Sequence, residues 1–133
     1  EGIVPGGGSA LLYASKFIDT SSEIHSEDFN IGVGIVKKAL EAPIRQICEN
    51  AGIEASAIVR DINDNDKYYG YNVLTGQYGN MIEMGIIDPA KVTRVALENA
   101  ASVASMILTT ECALVLDPEE TKSNVASGEH YTG

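Results

Sequence analysis

Cysteine is scarce: Cys48 and Cys112 are the only two in 133 residues. Two thiols cannot build a disulfide framework, and these lack the paired spacing of a zinc site, so a reducing compartment is the expected setting. Basic side chains are also few, 9 Lys+Arg against 19 Asp+Glu, for a formal net charge of -10. That balance speaks against nucleic acid held by its phosphates and against an anionic membrane surface. Long apolar runs are missing too. Even the stretch from Ala100 to Leu108 is interrupted by Ser102 and Ser105, well short of the roughly 20 residues a membrane-spanning helix requires, so a soluble protein is expected. No initiator Met, basic segment or signal-like apolar run opens the chain at Glu1-Gly2-Ile3-Val4. It reads as a sequence entered in mid-stream.

What is present is the apolar content of one ordinary globular domain, 44% hydrophobic residues, and no linker composition that would divide it. Pro5 and Gly6-Gly7-Gly8 form a loop, and Ser9 onward carries apolar residues at helical spacing to Ile18. After a polar connector holding His25, a second helical pattern begins at Phe29, with Ile31, Ile35, Ala39, Ala42 and Ile47 expected inward. Pro43 predicts a kink or break near Leu40. Asn50-Ala51-Gly52 supplies a stop, and residues 54–62 predict a short amphipathic helix. Tyr68 to Leu74 reads as a strand returning through Gln77-Tyr78 as a small hairpin, and residues 81–87 as an apolar turn against the core. Asp88-Pro89 predicts a helix start with Asp88 as N-cap, followed by a helix burying Val92, Val95, Ala96, Asn99, Val103 and Ile107. Residues 109–116 lose the helical period and read as a short strand, before a polar tail.

Few residues point to chemistry on their own. A glycine run before a helix offers backbone amides to an anion such as phosphate, although a tight turn or close backbone packing explains glycine equally. Asp88 either caps its helix or accepts from a sugar's hydroxyls. No catalytic set is visible. His25 and His130 lie in polar stretches, neither Cys has a nucleophile's neighbours, Glu23, Glu27 and Asp28 read as a solvated acidic face, and Tyr68, Tyr69, Tyr71 and Tyr78 as a hairpin surface or core edge.

Taken together, several segments resemble the C-terminal part of the equatorial domain of group I chaperonins, the type of mitochondria, plastids and bacteria. They are Glu1-Gly2-Ile3-Val4-Pro5-Gly6-Gly7-Gly8, Ala39-Leu40-Glu41-Ala42-Pro43-Ile44-Arg45-Gln46-Ile47, Tyr69-Gly70-Tyr71-Asn72, Tyr78-Gly79-Asn80-Met81, Gly85-Ile86-Ile87-Asp88-Pro89-Ala90-Lys91-Val92-Thr93-Arg94, and Ala100-Ala101-Ser102-Val103-Ala104 through Thr109-Thr110-Glu111-Cys112. The resemblance implies a mainly α, multihelical equatorial-domain segment with a small β-hairpin and a short C-terminal strand. Residues 1–116 would form the ATP-binding, ring-forming part, while residues 117–133 read from their composition as a polar, disordered tail.

The same resemblance implies an ATP-driven folding machine and a set of site residues. Gly7 would approach the nucleotide through its backbone, Asn72 and Val73 would border the base, Ile86 would pack on it, and Asp88 would accept from the ribose. The cofactor implied for the parent is ATP with Mg2+. The phosphate loop, the metal-binding Asp and the water-activating Asp would lie outside this sequence, so the segment alone is expected to be inactive and to hold no nucleotide stably. Implied partners are identical subunits in stacked rings, a co-chaperonin lid and unfolded polypeptides, with neither nucleic acid nor membrane. Arg45 and Glu54 would sit near the contact between rings, and the strand Cys112-Ala113-Leu114-Val115 would join a sheet shared with a neighbouring subunit. The implied location is the mitochondrial matrix, with plastid stroma and bacterial cytoplasm as alternatives. Val73-Leu74 departs from the two alanines usual in the family, Gly34 is unusual within its helix, and the tail is not the family's Gly-Met repeat. From a different class, the residues also fit a stand-alone helical interaction module without nucleotide chemistry.

Overall fold

The computed structural model describes residues 1–18 and 26–115, with side chains to Thr110. In chain order it comprises β1 (Ile3–Pro5), α1 (Ser9–Ser15), α2 (Glu27–Leu40), α3 (Ala42–Asn50), α4 (Ala55–Asn63), β2 (Tyr69–Asn72), β3 (Gln77–Asn80), β4 (Ile87–Pro89) and α5 (Ala90–Val115). The chain divides into two compact units, Glu1–Thr93 and Arg94–Gly133. No linker composition marks the division because it falls within α5, a continuous helix.

Local chemistry accounts for the helix boundaries of the first unit. Ser26 Oγ accepts from the Phe29 amide at 3.2 Å, with Glu27 and Asp28 in the first turn of α2 and Lys37 and Lys38 in its last, matching the helix dipole at both ends. Pro43, which lacks an amide proton, sits in the first turn of α3, so the expected break falls at Glu41. At the far end of α3, the Gly52 and Ile53 amides return to the Glu49 and Cys48 carbonyls, each at 2.9 Å. The Glu54 carboxylate then accepts from the Ser56 amide at 3.0 Å and starts α4.

The core lies among α1, α3 and α4. Leu12, Ile44, Cys48, Ile58, Val59 and Ile62 form one buried cluster, against which Ile53, Ala55, Tyr69, Tyr71 and Val73 pack. Full burial of each large aliphatic side chain contributes about 1.5–3 kcal/mol. Two antiparallel pairs complete the unit. The β2–β3 hairpin aligns Tyr71 with Tyr78 and Asn72 with Gln77, and β1–β4 aligns Ile3 with Pro89, Val4 with Asp88 and Pro5 with Ile87.

Four expectations require correction. In α2, Ile31 and Ile35 are 56% and 66% exposed, Ala39 is exposed as well, and only Leu40 is buried, because the core is assembled from the helices on either side of α2. Asp88 does not cap α5. It pairs in β4, and the Ala90 amide donates instead to the Gly2 carbonyl at 3.0 Å, so the β1 segment supplies the acceptor a side-chain cap would have provided. The stripe expected to be buried along α5 is exposed at Val92, Val103 and Ile107. The short strand expected over residues 109–116 is not formed in its described part: α5 runs on through Val115. Its hydroxyl residues are absorbed by the helix, with Thr109 Oγ1 donating to the Ser105 carbonyl and Thr110 Oγ1 to that of Met106, both at 2.9 Å. A helix satisfies its own backbone, whereas a strand needs a partner for every bond. The tail over residues 117–133, with His130, and the connector holding Glu23 and His25, lie outside the described residues.

The second unit, as described, is this helix from Arg94. An Arg94–Glu98 ion pair at 2.9 Å, one turn apart, and the Ser102 and Ser105 hydroxyls donating to the Glu98 and Ala101 carbonyls reinforce it. No helix among the described residues is long and apolar enough to cross a membrane.

Candidate functional site

The glycine loop joins β1 to α1, and backbone geometry explains why glycine is there. Gly7 and Gly8 adopt φ of +65° and +80°, a region side chains disfavour. A Cβ on Gly7 would lie 3.0 Å from Met81 Cε, 3.8 Å from the Tyr71 carbonyl oxygen and 3.9 Å from Ile86 Cγ2. Close packing therefore accounts for the run without a ligand. Binding is still open to it, because neither the Gly7 nor the Gly8 amide has a hydrogen-bond partner among the described residues.

The β1–β4 ladder brings two more candidates to this loop. The Gly6 amide donates to the Ile86 carbonyl at 2.8 Å, and the Ile86 amide donates to the Met81 carbonyl at 2.9 Å, which fixes Ile86 beneath the loop. Two residues on, Asp88 stands opposite Val4 with its carboxylate exposed. Asn72 ends β2, the strand whose Tyr71 carbonyl approaches Gly7. Its Oδ1 accepts from the Leu74 amide at 3.0 Å and the Thr75 amide at 3.4 Å, so one side of this side chain is committed to its own turn. Val73 is placed differently from the other four, since its side chain packs against the core cluster.

Two residues of this region escape sequence reasoning. Met81 is fully buried and fills the space beside Gly7 and Gly70. Ser9 is also buried, its Oγ lies 2.5 Å from where a Gly70 Cβ would stand, and it makes no hydrogen bond among the described residues. The apolar turn expected over residues 81–87 does place Met81 against the core, but nothing in the local pattern pairs it with Gly7. Ser9 could have been found as the first hydroxyl after a glycine run at a helix start.

Away from this loop, a cleft of ≈ 570 Å³ is lined by Arg45, Glu49, Gly52, Ile53, Glu54 and Ala55. Arg45 donates to Glu41 Oε2 through Nη2 at 2.8 Å and Nε at 3.0 Å, with Nη1 3.5 Å from Ser56 Oγ. Hydrogen bonds from Ser56 hold the Glu54 carboxyl below its ordinary pKa, with Arg45 adding a smaller push in the same direction. Beneath them Cys48 is buried, and desolvation raises its thiol pKa, the signature of a packing rather than a reactive cysteine. No cluster of metal-ligating side chains occurs among the described residues.

The TCP-1/cpn60 chaperonin family pattern matches residues 1–118, and the chain belongs to that family. Its fold is similar to the open-state monomer of a group II chaperonin from Methanococcoides burtonii, at 27% identity and a TM-score of 0.72, covering 80% of this chain and 27% of that one. It is likewise similar to a group III chaperonin in the open state, at 32% identity and a TM-score of 0.73, covering 81% of this chain and 23% of that one. The chain spans about a quarter of the length of these solved chaperonins. The mostly helical architecture with small strands is that of a chaperonin equatorial-domain fragment.

Proposed function

We propose that this chain is part of a group I chaperonin subunit that uses ATP to assist folding of unfolded polypeptides in a double ring with a co-chaperonin lid, and that the segment supplies one wall of the nucleotide pocket. The group I reading rests on the family-like segments from Glu1 to Cys112 and carries with it a mitochondrial-matrix location, testable by cell fractionation. The pocket reading rests on one observation above all: the β1–β4 ladder gathers the Gly7 backbone, Ile86 and Asp88 around a single loop.

The groups gathered there suit a nucleotide. Unpartnered amides at Gly7 and Gly8 are donors for an anion, Asp88 offers an exposed acceptor for ribose hydroxyls, and Ile86 offers apolar surface for a base. Asn72 would border the base through its free amide group and Val73 through its backbone, its side chain being engaged by the core. Mg2+, when bound with ATP, would neutralise phosphate charge. The described residues supply no ligand cluster for it.

The test is ADP binding to the full-length chaperonin, wild type against Asp88→Ala. Loss of a charged acceptor to the ribose should weaken binding about tenfold or more. Equal affinity in the two proteins would remove Asp88 from the pocket. The 133-residue chain alone should not turn over ATP, since hydrolysis requires a positioned water and a base and its sequence shows no recognisable set of residues for them; steady turnover lost in the Asp88→Ala variant would refute this.

A further inference from the structure

The hairpin that carries Asn72 and Val73 ends in a solvent-exposed turn, closed by the Gly76 amide donating to the Asn72 carbonyl at 2.8 Å, with Leu74 93% exposed. Tyr69, Tyr71 and Val73 pack the hairpin against the core cluster, and a polar tie adds to that packing. Tyr69, Tyr71 and Tyr78 project together from β2 and β3, with Tyr69 and Tyr78 stacked at 5.7 Å between centroids and Tyr71 and Tyr78 tilted at 4.8 Å. From this cluster Tyr78 Oη donates to Asp61 Oδ2 on α4 at 3.0 Å. Tyr78 is paired with Tyr71, the residue immediately before Asn72, and the Tyr71 carbonyl is the one that approaches Gly7.

From this placement we infer that Tyr78 and Asp61 are positioning residues for nucleotide binding: their hydrogen bond ties the base-bordering end of the hairpin to α4 before the ligand arrives. The inference rests on the pocket reading above. A two-stranded hairpin is marginal by itself, and a segment ordered in advance does not have to be ordered at the expense of binding energy. The donor is a phenol, protonated at neutral pH with or without a shift, and desolvation, followed by the hydrogen bond to Asp61, pushes its pKa further up, to about 12. The pair should therefore act through affinity rather than through turnover once nucleotide is bound.

The experiment measures ADP affinity and saturated ATP turnover of the full-length chaperonin for wild type, Tyr78→Phe, Asp61→Ala, Asp61→Asn, their Tyr78→Phe/Asp61→Ala combination, and Asp88→Ala. Tyr78→Phe keeps the ring stack and loses only the hydroxyl, while Asp61→Asn keeps an oxygen acceptor. Tyr78→Phe and Asp61→Ala should each weaken ADP binding about three- to tenfold, the combination no more than either alone, and Asp61→Asn should stay within about twofold of wild type. Saturated turnover should change by less than about twofold in all four. Wild-type affinity in Tyr78→Phe and Asp61→Ala, or an Asp61→Asn variant as weak as Asp61→Ala, would overturn the inference. If Asp88→Ala weakens binding while the latch variants do not, only the latch fails; if the wild type binds no ADP, or Asp88→Ala binds as wild type does, the pocket reading fails and the latch inference fails with it.

Discussion

A Cβ on Gly8 would stand 2.7 Å from the Ile44 backbone nitrogen and 2.8 Å from its Cα. The start of α1 thus lies directly on the first turn of α3, and that approach sets where the glycine loop sits over the core. Neither partner can yield, since both contacts are with backbone. Gly8→Ala also forces a side chain into φ +80°, at about 1–2 kcal/mol, with overpacking adding about 1–3 kcal/mol. The expected outcome is a loss of about 2–5 kcal/mol in urea unfolding. Gly32→Ala is the contrasting control. Nothing lies within 4 Å of its Cβ position in α2, so replacing a mid-helix glycine should stabilise by about 0.5–1 kcal/mol.

Gly70 and Met81 form a second tight contact beneath the same loop. A Gly70 Cβ would collide with Met81 Cγ, lie 2.7 Å from its Sδ, and lie 2.5 Å from Ser9 Oγ. Met81 is fully buried, so its flexible chain has nowhere to withdraw. Gly70→Ala should cost about 1–3 kcal/mol by overpacking and Met81→Ala about 2–5 kcal/mol by leaving a cavity. Combined, they should cost less than their sum, because the new methyl enters the vacated volume. Strict additivity in urea midpoints would place the two residues apart.

Tyr78 provides a pH test of the hairpin's tie to α4. Its folded pKa, pushed up to about 12 first by desolvation and then by the Asp61 hydrogen bond, exceeds the unfolded value near 10. A raised phenol pKa means the native state keeps a proton the unfolded chain has lost, so stability falls as pH rises. The contribution is fully present below about pH 10 and is lost as pH climbs through about 12. The stability difference between wild type and Tyr78→Phe should hold steady from about pH 7 to 10 and shrink above it. A difference that widens above about pH 10 would reverse the sign of this coupling.

Local signals were readable wherever the chain itself satisfies them. Pro43 marked the α2–α3 break, Gly52 the end of α3, and the aromatic run at Tyr69 the hairpin. The misreadings share a physical cause, which is that the deciding partner is distant in sequence. Asp88-Pro89 has the form of a helix cap, yet the Gly2 carbonyl, far upstream, takes the Ala90 amide. Ile31 and Ile35 have helical spacing, but periodicity does not say which helices surround the core. The β-branched residues at Thr109 and Thr110 favour a strand only where another backbone pairs with them, and here their hydroxyls close back onto α5. At the candidate site, resemblance named Gly7, Asn72, Val73, Ile86 and Asp88, whereas Met81 and Ser9 emerged only once β2 and the loop were seen in contact.

Arg45 and Glu54 carry the last prediction. By family resemblance they are expected near the contact between stacked rings, and within this chain they line one cleft with Glu49. Both are already engaged locally, Arg45 by forking onto Glu41 and Glu54 by capping α4. An exposed pair of this kind is worth only about 0–1 kcal/mol within one chain, so any large effect must come from an interface. Arg45→Glu places a like charge one turn from Glu41 and weakens α3 slightly, which makes Arg45→Gln the necessary companion variant. If the pair bridges rings isologously, reversing either charge should lower the double-ring fraction of the full-length protein, most strongly at low salt, because each reversed residue then meets its like across the two-fold axis. Arg45→Gln should have the smaller effect, and reversing both residues should restore much of the stacking, since complementarity returns with the signs exchanged. The ring ratio read at several salt concentrations decides it: single reversals that leave the ratio unchanged would confine Arg45 and Glu54 to the local bonds already seen with Glu41 and Ser56.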